Sequence, residues 1–266
     1  MRLALVLKWL WASNLVGSAL VIWRLYSLDL HKIYRFFFAS MALSLIRSAI
    51  LFPFAPNNPT YYRIWVSTQP LIWLAYALVV FELYRLVLAQ YRGIYSLGRW
   101  FFFGAIGVAL LLCALTVAPT VEVASSTARA SGRPPLLVFY ALTERGTQTV
   151  LAVLLLLLLA FVAGFAVPLG RNLLIHSVVY TVYFIVGNIS NLFWSSSSGR
   201  ERAPLWSGFA RLGVAAACYA AWAFLLSRRG EDRITSLHLG RNAGAEKRLL
   251  GQLEDLNATL IGAARK

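Results

Sequence analysis

The chain has 266 residues, 59% of them hydrophobic and only 13% charged, with a mean hydropathy of +0.68. About a quarter of the residues of a soluble domain are charged, so an ordinary soluble domain is excluded and a membrane protein is expected. The net charge of +15 would normally suggest a nucleic-acid partner, but the placement of the cations gives it a simpler origin in membrane topology, and no nucleic acid is expected.

Seven stretches approach or exceed the roughly 20 apolar residues that a membrane helix needs. They are Leu3–Trp23, Tyr34–Phe54, Ile64–Leu88, Trp100–Ala118, Thr147–Val167, Asn172–Trp194 and Pro204–Leu226. A lipid-embedded backbone must satisfy its own hydrogen bonds, which selects helices. None of the stretches has the alternating pattern of a barrel strand. The expected fold is all-α: a polytopic membrane protein with a seven-transmembrane helix bundle over residues 1–227 and a tail over 228–266.

The first stretch resembles a signal peptide, with Arg2 ahead of it and Gly17-Ser18-Ala19 as a tolerable cleavage site. Lys8 interrupts its apolar region, and no soluble domain follows that would need export, so a retained helix is expected. Between the fourth and fifth stretches, Pro119–Gln148 begins polar and reaches Pro134-Pro135. It then turns apolar at Leu136, Leu137, Phe139 and Tyr140. A helix from Pro135 to Val167 would be about 50 Å long, more than the ~30 Å hydrocarbon core, and could form an outer lid. An irregular loop with one interfacial turn is the other reading.

Orientation follows Lys and Arg. With the C-terminus inside, the inner face holds Arg24, Lys32, Arg35, Arg85, Arg92, Arg99, Arg171 and all the tail cations. The outer face holds a smaller set that includes Lys8, Arg63, Arg129, Arg133 and Arg145. N-out and C-in is expected. Trp9, Trp11, Trp23, Tyr61, Tyr62, Trp65, Trp100, Trp194 and Trp206 fall at the two interfaces, as aromatic belts do.

Leu-Gly-Arg recurs at Leu97, Leu169 and Leu239, on the inner side each time. Shared helix-end chemistry explains it, and a two-helix duplication is the alternative. The tail divides into a polar linker, Arg228–Gly244, and an amphipathic helix, Glu246–Leu260. Leu249, Leu253, Leu256 and Leu260 trace a short coiled-coil seam. A homodimer, a cytoplasmic partner, or a helix lying on the membrane or bundle would each use that seam.

Ionisable groups inside spans are costly and mark candidate sites. Arg47 lies deep in the second stretch and Arg211 in the seventh, with Gln69, Asn188 and Asn191 in the same outer half. The one carboxylate able to reach that level is Glu144, so cations outnumber anions there. A buried charge needs a counter-charge. Arg47 and Arg211 would therefore grip an anionic lipid or small anion, with Gln69, Asn188 and Asn191 supplying hydrogen bonds. The alternative is internal pairing of Arg47 and snorkelling of Arg211. At the inner side, Glu82 and Arg85 are spaced for a same-face ion pair, a candidate switch. His176 is a packing histidine or a pH sensor.

Several chemistries lack their residues. Only His31, His176 and His238 are present, which rules out bis-histidine haem between helices and makes a zinc site a poor fit. The seventh stretch has no lysine for a retinal Schiff base, and no acid–base pair lies inside the bundle. No metal, cofactor or catalytic site is expected. Cys113 and Cys218 read as core residues, not a disulfide.

The stretches Glu82-Leu-Tyr-Arg-Leu-Val-Leu, Gly93-Ile-Tyr-Ser-Leu-Gly-Arg-Trp100 and Arg171-Asn-Leu-Leu-Ile-His-Ser-Val-Val-Tyr180 resemble segments of uncharacterised bacterial seven-helix membrane proteins. The layout is also similar to the seven-helix sensory regions at the head of some bacterial histidine kinases. That resemblance covers the bundle alone and rests on helix count and topology. It implies a multi-pass protein of the bacterial inner membrane that senses a ligand or acts as a scaffold. A transporter or lipid-handling protein, with the same arginines lining a passage, is the competing expectation.

Overall fold

Proline marks two helix starts. Pro59 and Pro135 each stand at the first helical position, where the N–H that proline lacks would have no partner in any case. In the computed structural model, residues 2–54, 58–88, 135–165, 169–196, 203–232 and 234–235 are described, with the single positions 104, 107, 251, 252, 255 and 258.

Six long helices occupy the described residues: α1 (Arg2–Ser27), α2 (Arg35–Leu51), α3 (Pro59–Leu88), α4 (Pro135–Phe165), α5 (Arg171–Ser196) and α6 (Ala203–Leu225). A four-residue helix, α7 (Arg229–Asp232), follows. The only extended structure among the described residues is β1 (Leu169–Gly170) paired antiparallel with β2 (Ile234–Thr235). Apart from that pair and short turns, the described residues are helical.

Four helices are long and apolar enough to cross a membrane, through Pro59–Leu88, Thr143–Ala163, Arg171–Ser190 and Gly208–Leu225. This makes it a multi-pass membrane protein. α2 has 17 residues, about 26 Å, and α1 carries Arg2, Lys8 and Arg24. The expected fourth span at Trp100–Ala118, apart from positions 104 and 107, and the tail seam at Leu249, Leu253, Leu256 and Leu260 lie outside the described residues. α4 starts at Pro135 and runs for 31 residues, about 46 Å. It therefore outreaches a ~30 Å hydrocarbon core.

The helices close into a ring. α1 packs on α2 and α6, and α2 on α3. α3 packs on α4, α4 on α5, and α5 on α6. Without a hydrophobic drive between helices in lipid, close packing and interhelical hydrogen bonds hold such a ring. Gly17 serves that need: a Cβ there would stand 3.0 Å from Cβ of Tyr219 on α6. Asn14 adds a bond across the same contact, donating from Nδ2 to the Leu212 carbonyl at 3.1 Å.

The inside of the ring is aromatic at its core, with Tyr34, Phe37, Tyr180, Phe184 and Trp222 almost wholly buried. The outside stays apolar: Trp9, Val16, Leu20 and Trp23 on α1, and Val178, Val182, Ile185 and Ile189 on α5, are exposed. The α5 set recurs at helical three-and-four spacing along one face. Between α1 and α2 the chain turns through Asp29, whose φ of 58° is left-handed, a conformation that Asp tolerates better than most residues.

Candidate functional site

The polar side chains inside the ring form two layers, named outer and inner after the expected N-out orientation. The outer layer spans α2 to α6. On α3, Trp65, Gln69 and Trp73 follow one another at four-residue steps and share a face, with Tyr62 and Tyr76 flanking them. Glu144 and Gln148 share a face of α4 in the same way. Gln148 donates from Nε2 to Glu144 Oε1 at 3.1 Å. Gln148 also fills the space beside Gly187 of α5, where an added Cβ would come within 2.7 Å of its Oε1.

Arg211 of α6 forms an ion pair and a hydrogen bond with Glu144. The Glu144 side chain is 4% exposed and that of Arg211 is 36% exposed. Arg47 of α2 makes no ion pair among the described residues. Its Nη2 donates to Gln69 Oε1 at 2.6 Å, and its guanidinium stands 5.8 Å from the ring centre of Trp65, within cation–π range. Glu144 and Arg211 both lie within electrostatic reach of Arg47. Among the described residues this layer therefore holds two guanidinium groups and one carboxylate, which pairs with Arg211, and Nε of Arg47 is buried with no hydrogen-bond partner.

The joint grip expected of Arg47 and Arg211 is divided in the fold. Arg211 is held by Glu144, because α4 begins at Pro135 and carries that carboxylate into the bundle. Arg211 therefore pairs rather than snorkels. Arg47 and Gln69 are brought together, as bonded partners. Asn188 donates to Thr149 of α4, so it ties α5 to α4. The side chain of Asn191 lies outside the described residues. Lys8 is exposed and stands apart from the layer.

The inner layer is spent on helix ends. The first N–H groups of a helix have no partner within it, and Tyr34, at the cap position of α2, gives no side-chain cap. Glu82 of α3 fills that gap: Oε1 accepts from the Phe36 N–H and Oε2 from the Phe37 N–H, each at 3.0 Å. The expected Glu82–Arg85 ion pair is not formed. Glu82 is 0% exposed, whereas Arg85 faces outward.

At the opposite corner of this layer, Asn172 of α5 clasps the chain just beyond α6. It donates to the Ser227 carbonyl at 2.7 Å and accepts from the Ser227 N–H at 3.2 Å. Arg24 of α1 donates from Nε and Nη2 to the Leu226 carbonyl at 3.2 and 2.8 Å. Cations suit that place, because carbonyls at a helix C-terminus lack partners and the dipole there is negative.

His176 sits between the layers' ends and the aromatic core. It is 0% exposed, with ring centroids 4.5 Å from Tyr34 and 4.4 Å from Phe37. Neither ring nitrogen has a hydrogen-bond partner. It is a packing residue enclosed by aromatic rings. Outside the membrane-spanning segments, a hydrogen bond from Lys32 at 2.8 Å holds the Asp29 carboxyl below its ordinary range.

Among the described residues, no group of three or more His, Cys, Asp or Glu could hold a metal ion. Arg24 and Asn172 were open to sequence reasoning only as a loop cation and a helix-start amide. Their role depends on where α6 ends, which no local signal gives. Comparison with family models, with curated proteins and with solved structures returns no match.

Proposed function

We propose that this chain is a receptor-like sensor or scaffold of the bacterial inner membrane that binds an anionic ligand in its outer half, at Arg47. In this reading it has seven spans, with the N-terminus outside and the C-terminus in the cytoplasm. Its tail helix dimerises or recruits a partner. One observation carries the proposal: among the described residues the outer layer has two guanidinium groups against one carboxylate, and a buried donor of Arg47 is left without a partner. A buried, unpaired donor costs about 1–3 kcal/mol, which an incoming oxyanion would offset.

The inner layer favours a sensor over a carrier. A carrier needs a polar route to the inner face. Glu82 and Asn172 are bonded to backbone at helix ends, and His176 is enclosed by rings. Ligand binding would reach the tail through the clasp of Asn172 and Arg24 on residues 226–227.

Native mass spectrometry of gently extracted protein tests the binding step. Wild type is expected to carry an anionic adduct that Arg47→Ala loses. An identical adduct on both would sink the proposal. Deleting residues 236–266 should abolish output and leave the adduct in place, whereas a carrier would still move its substrate.

A further inference from the structure

Among the described residues, Arg47 is not the only unpaired donor in the outer layer. Nε1 of Trp73 and the hydroxyl of Tyr62 are also buried without hydrogen-bond partners. Both belong to α3, on either side of the Arg47–Gln69 bond. Tyr140 of α4 links the group. Its ring is 5.9 Å from Trp65 and 5.5 Å from Trp73, and it lies within electrostatic reach of Tyr62. Three polar hydrogens, from a hydroxyl, a guanidinium and an indole, thus stand unspent along one seam between α2, α3 and α4. Buried polar groups are nearly always bonded, so three in one seam require an explanation.

Their spacing limits what could satisfy them. From Tyr62 to Trp73 is about 16 Å along the helix axis. A carboxylate or inorganic phosphate can reach one level of that ladder and no more. The occupant needs acceptors at successive depths, a negative charge at the level of Arg47, and an apolar end. Leu71 and Leu74 are exposed round α3 from this seam, so the helix that carries the donors also borders apolar surroundings.

We infer that the seam between α2, α3 and α4 is a site for one anionic glycerophospholipid. Its headgroup lies at Tyr62, its phosphate at Arg47 and an ester carbonyl at Trp73. The order of donors along α3 is the order of acceptors along the lipid, from headgroup to phosphate to ester to acyl chain. Trp65 and Tyr140 wall the site with rings. The inference rests on the anion reading above and names the ligand class for it.

The test uses the full chain, delipidated in mild detergent, with dioleoyl phosphatidylglycerol, dioleoyl phosphatidylcholine, oleate or inorganic phosphate added, and bound species counted by native mass spectrometry. One phosphatidylglycerol per chain is expected, in preference to the other three probes. Arg47→Gln, Trp73→Phe and Tyr62→Phe should each weaken it about ten-fold, the scale of one hydrogen bond to a charged or strongly polar group.

Tyr62→Phe keeps the ring and removes an unpaired hydroxyl, so the lipid-free melting temperature should hold or rise; Trp73→Phe also removes ring volume and is read by binding alone. Equal phosphatidylglycerol binding by wild type and by these two variants would overturn the site. So would a lowered lipid-free melting temperature in Tyr62→Phe, or equal binding of phosphatidylcholine. If Arg47→Gln releases oleate or phosphate but no lipid is preferred, the lipid assignment falls and the anion reading stands. If no probe binds, both fall.

Discussion

The outer and inner polar layers hold similar residue types and use them differently. At the inner layer, Glu82, Asn172 and Arg24 all end on backbone groups: the first N–H groups of α2, and the carbonyls and N–H at the end of α6. At the outer layer, the side chains bond one another, Arg211 to Glu144, Arg47 to Gln69 and Asn188 to Thr149. The donors of Arg47, Trp73 and Tyr62 are left over along one seam, whereas the unpartnered nitrogens of His176 and Trp222 stand among aromatic rings. The comparison teaches a way to read polar groups in a bundle. Those that finish a helix are structural, because the helix end would otherwise be unsatisfied in lipid. Those that have only each other, with an excess of one kind, are where we propose that an outside ligand binds.

Glu82→Ala should be the most damaging change, since it strips two charge-assisted bonds from the start of α2. A loss of about 3 kcal/mol is expected, read as a lower melting temperature in detergent. Glu82→Gln should recover less than half, because its amide group faces an N–H it cannot accept from. A harmless Glu82→Ala would erase the distinction between the layers.

Arg211→Ala comes next, at about 2 kcal/mol, since it leaves Glu144 charged and buried without its partner. Adding Glu144→Gln should restore most of that loss. This double-mutant cycle separates a stranded charge from lost packing. Arg47→Ala should cost about 1 kcal/mol, the penalty of one unpaired Gln69 carbonyl. If Arg47→Ala proves as damaging as Arg211→Ala, Arg47 is a structural pair member and the outer layer loses its surplus.

Asn172→Ala should cost about 1.5 kcal/mol by releasing both backbone groups of Ser227. It should also raise amide hydrogen exchange at residues 226–230 before that of α6 itself. The smallest effect is expected at His176. Replacing it by Phe keeps a ring against Tyr34 and Phe37 and removes two unpaired nitrogens, so stability should hold or rise by about 0.5 kcal/mol. A marked loss on melting in both His176→Phe and the smaller His176→Leu would mean that the imidazole has a bonded role, since only the first can overpack the site.

Much of the outer layer was legible early. Arg47, Arg211, Gln69 and Asn188 stand out because polar residues are rare in such stretches, and Glu144 was the one carboxylate within reach. The division into two separate pairs was not legible. It depends on the rotation of α4 that places Glu144 opposite Arg211 and leaves Arg47 facing α3. Tyr62 was hidden by its own chemistry: an aromatic residue near a membrane boundary reads as part of a belt. Trp73, well inside the third stretch, reads as one more apolar ring, and the unspent O–H and N–H become visible only once their neighbours are known. The Glu82–Arg85 pair failed for a related reason. An i, i+3 spacing creates the opportunity for a pair, but the unsatisfied end of α2 competes for the same carboxylate and wins in the dry interior.

Composition and apolar run length determined the helical, membrane-embedded class, since lipid accepts only backbone that bonds itself. Those properties are local and additive, so they survive without coordinates. Which polar group meets which was decided by the tertiary structure, through the closing of α1 on α6 and of α3 on α4. A hydrogen bond between helices depends on rotation and depth to within about an ångström, and no periodicity in a single chain carries that precision.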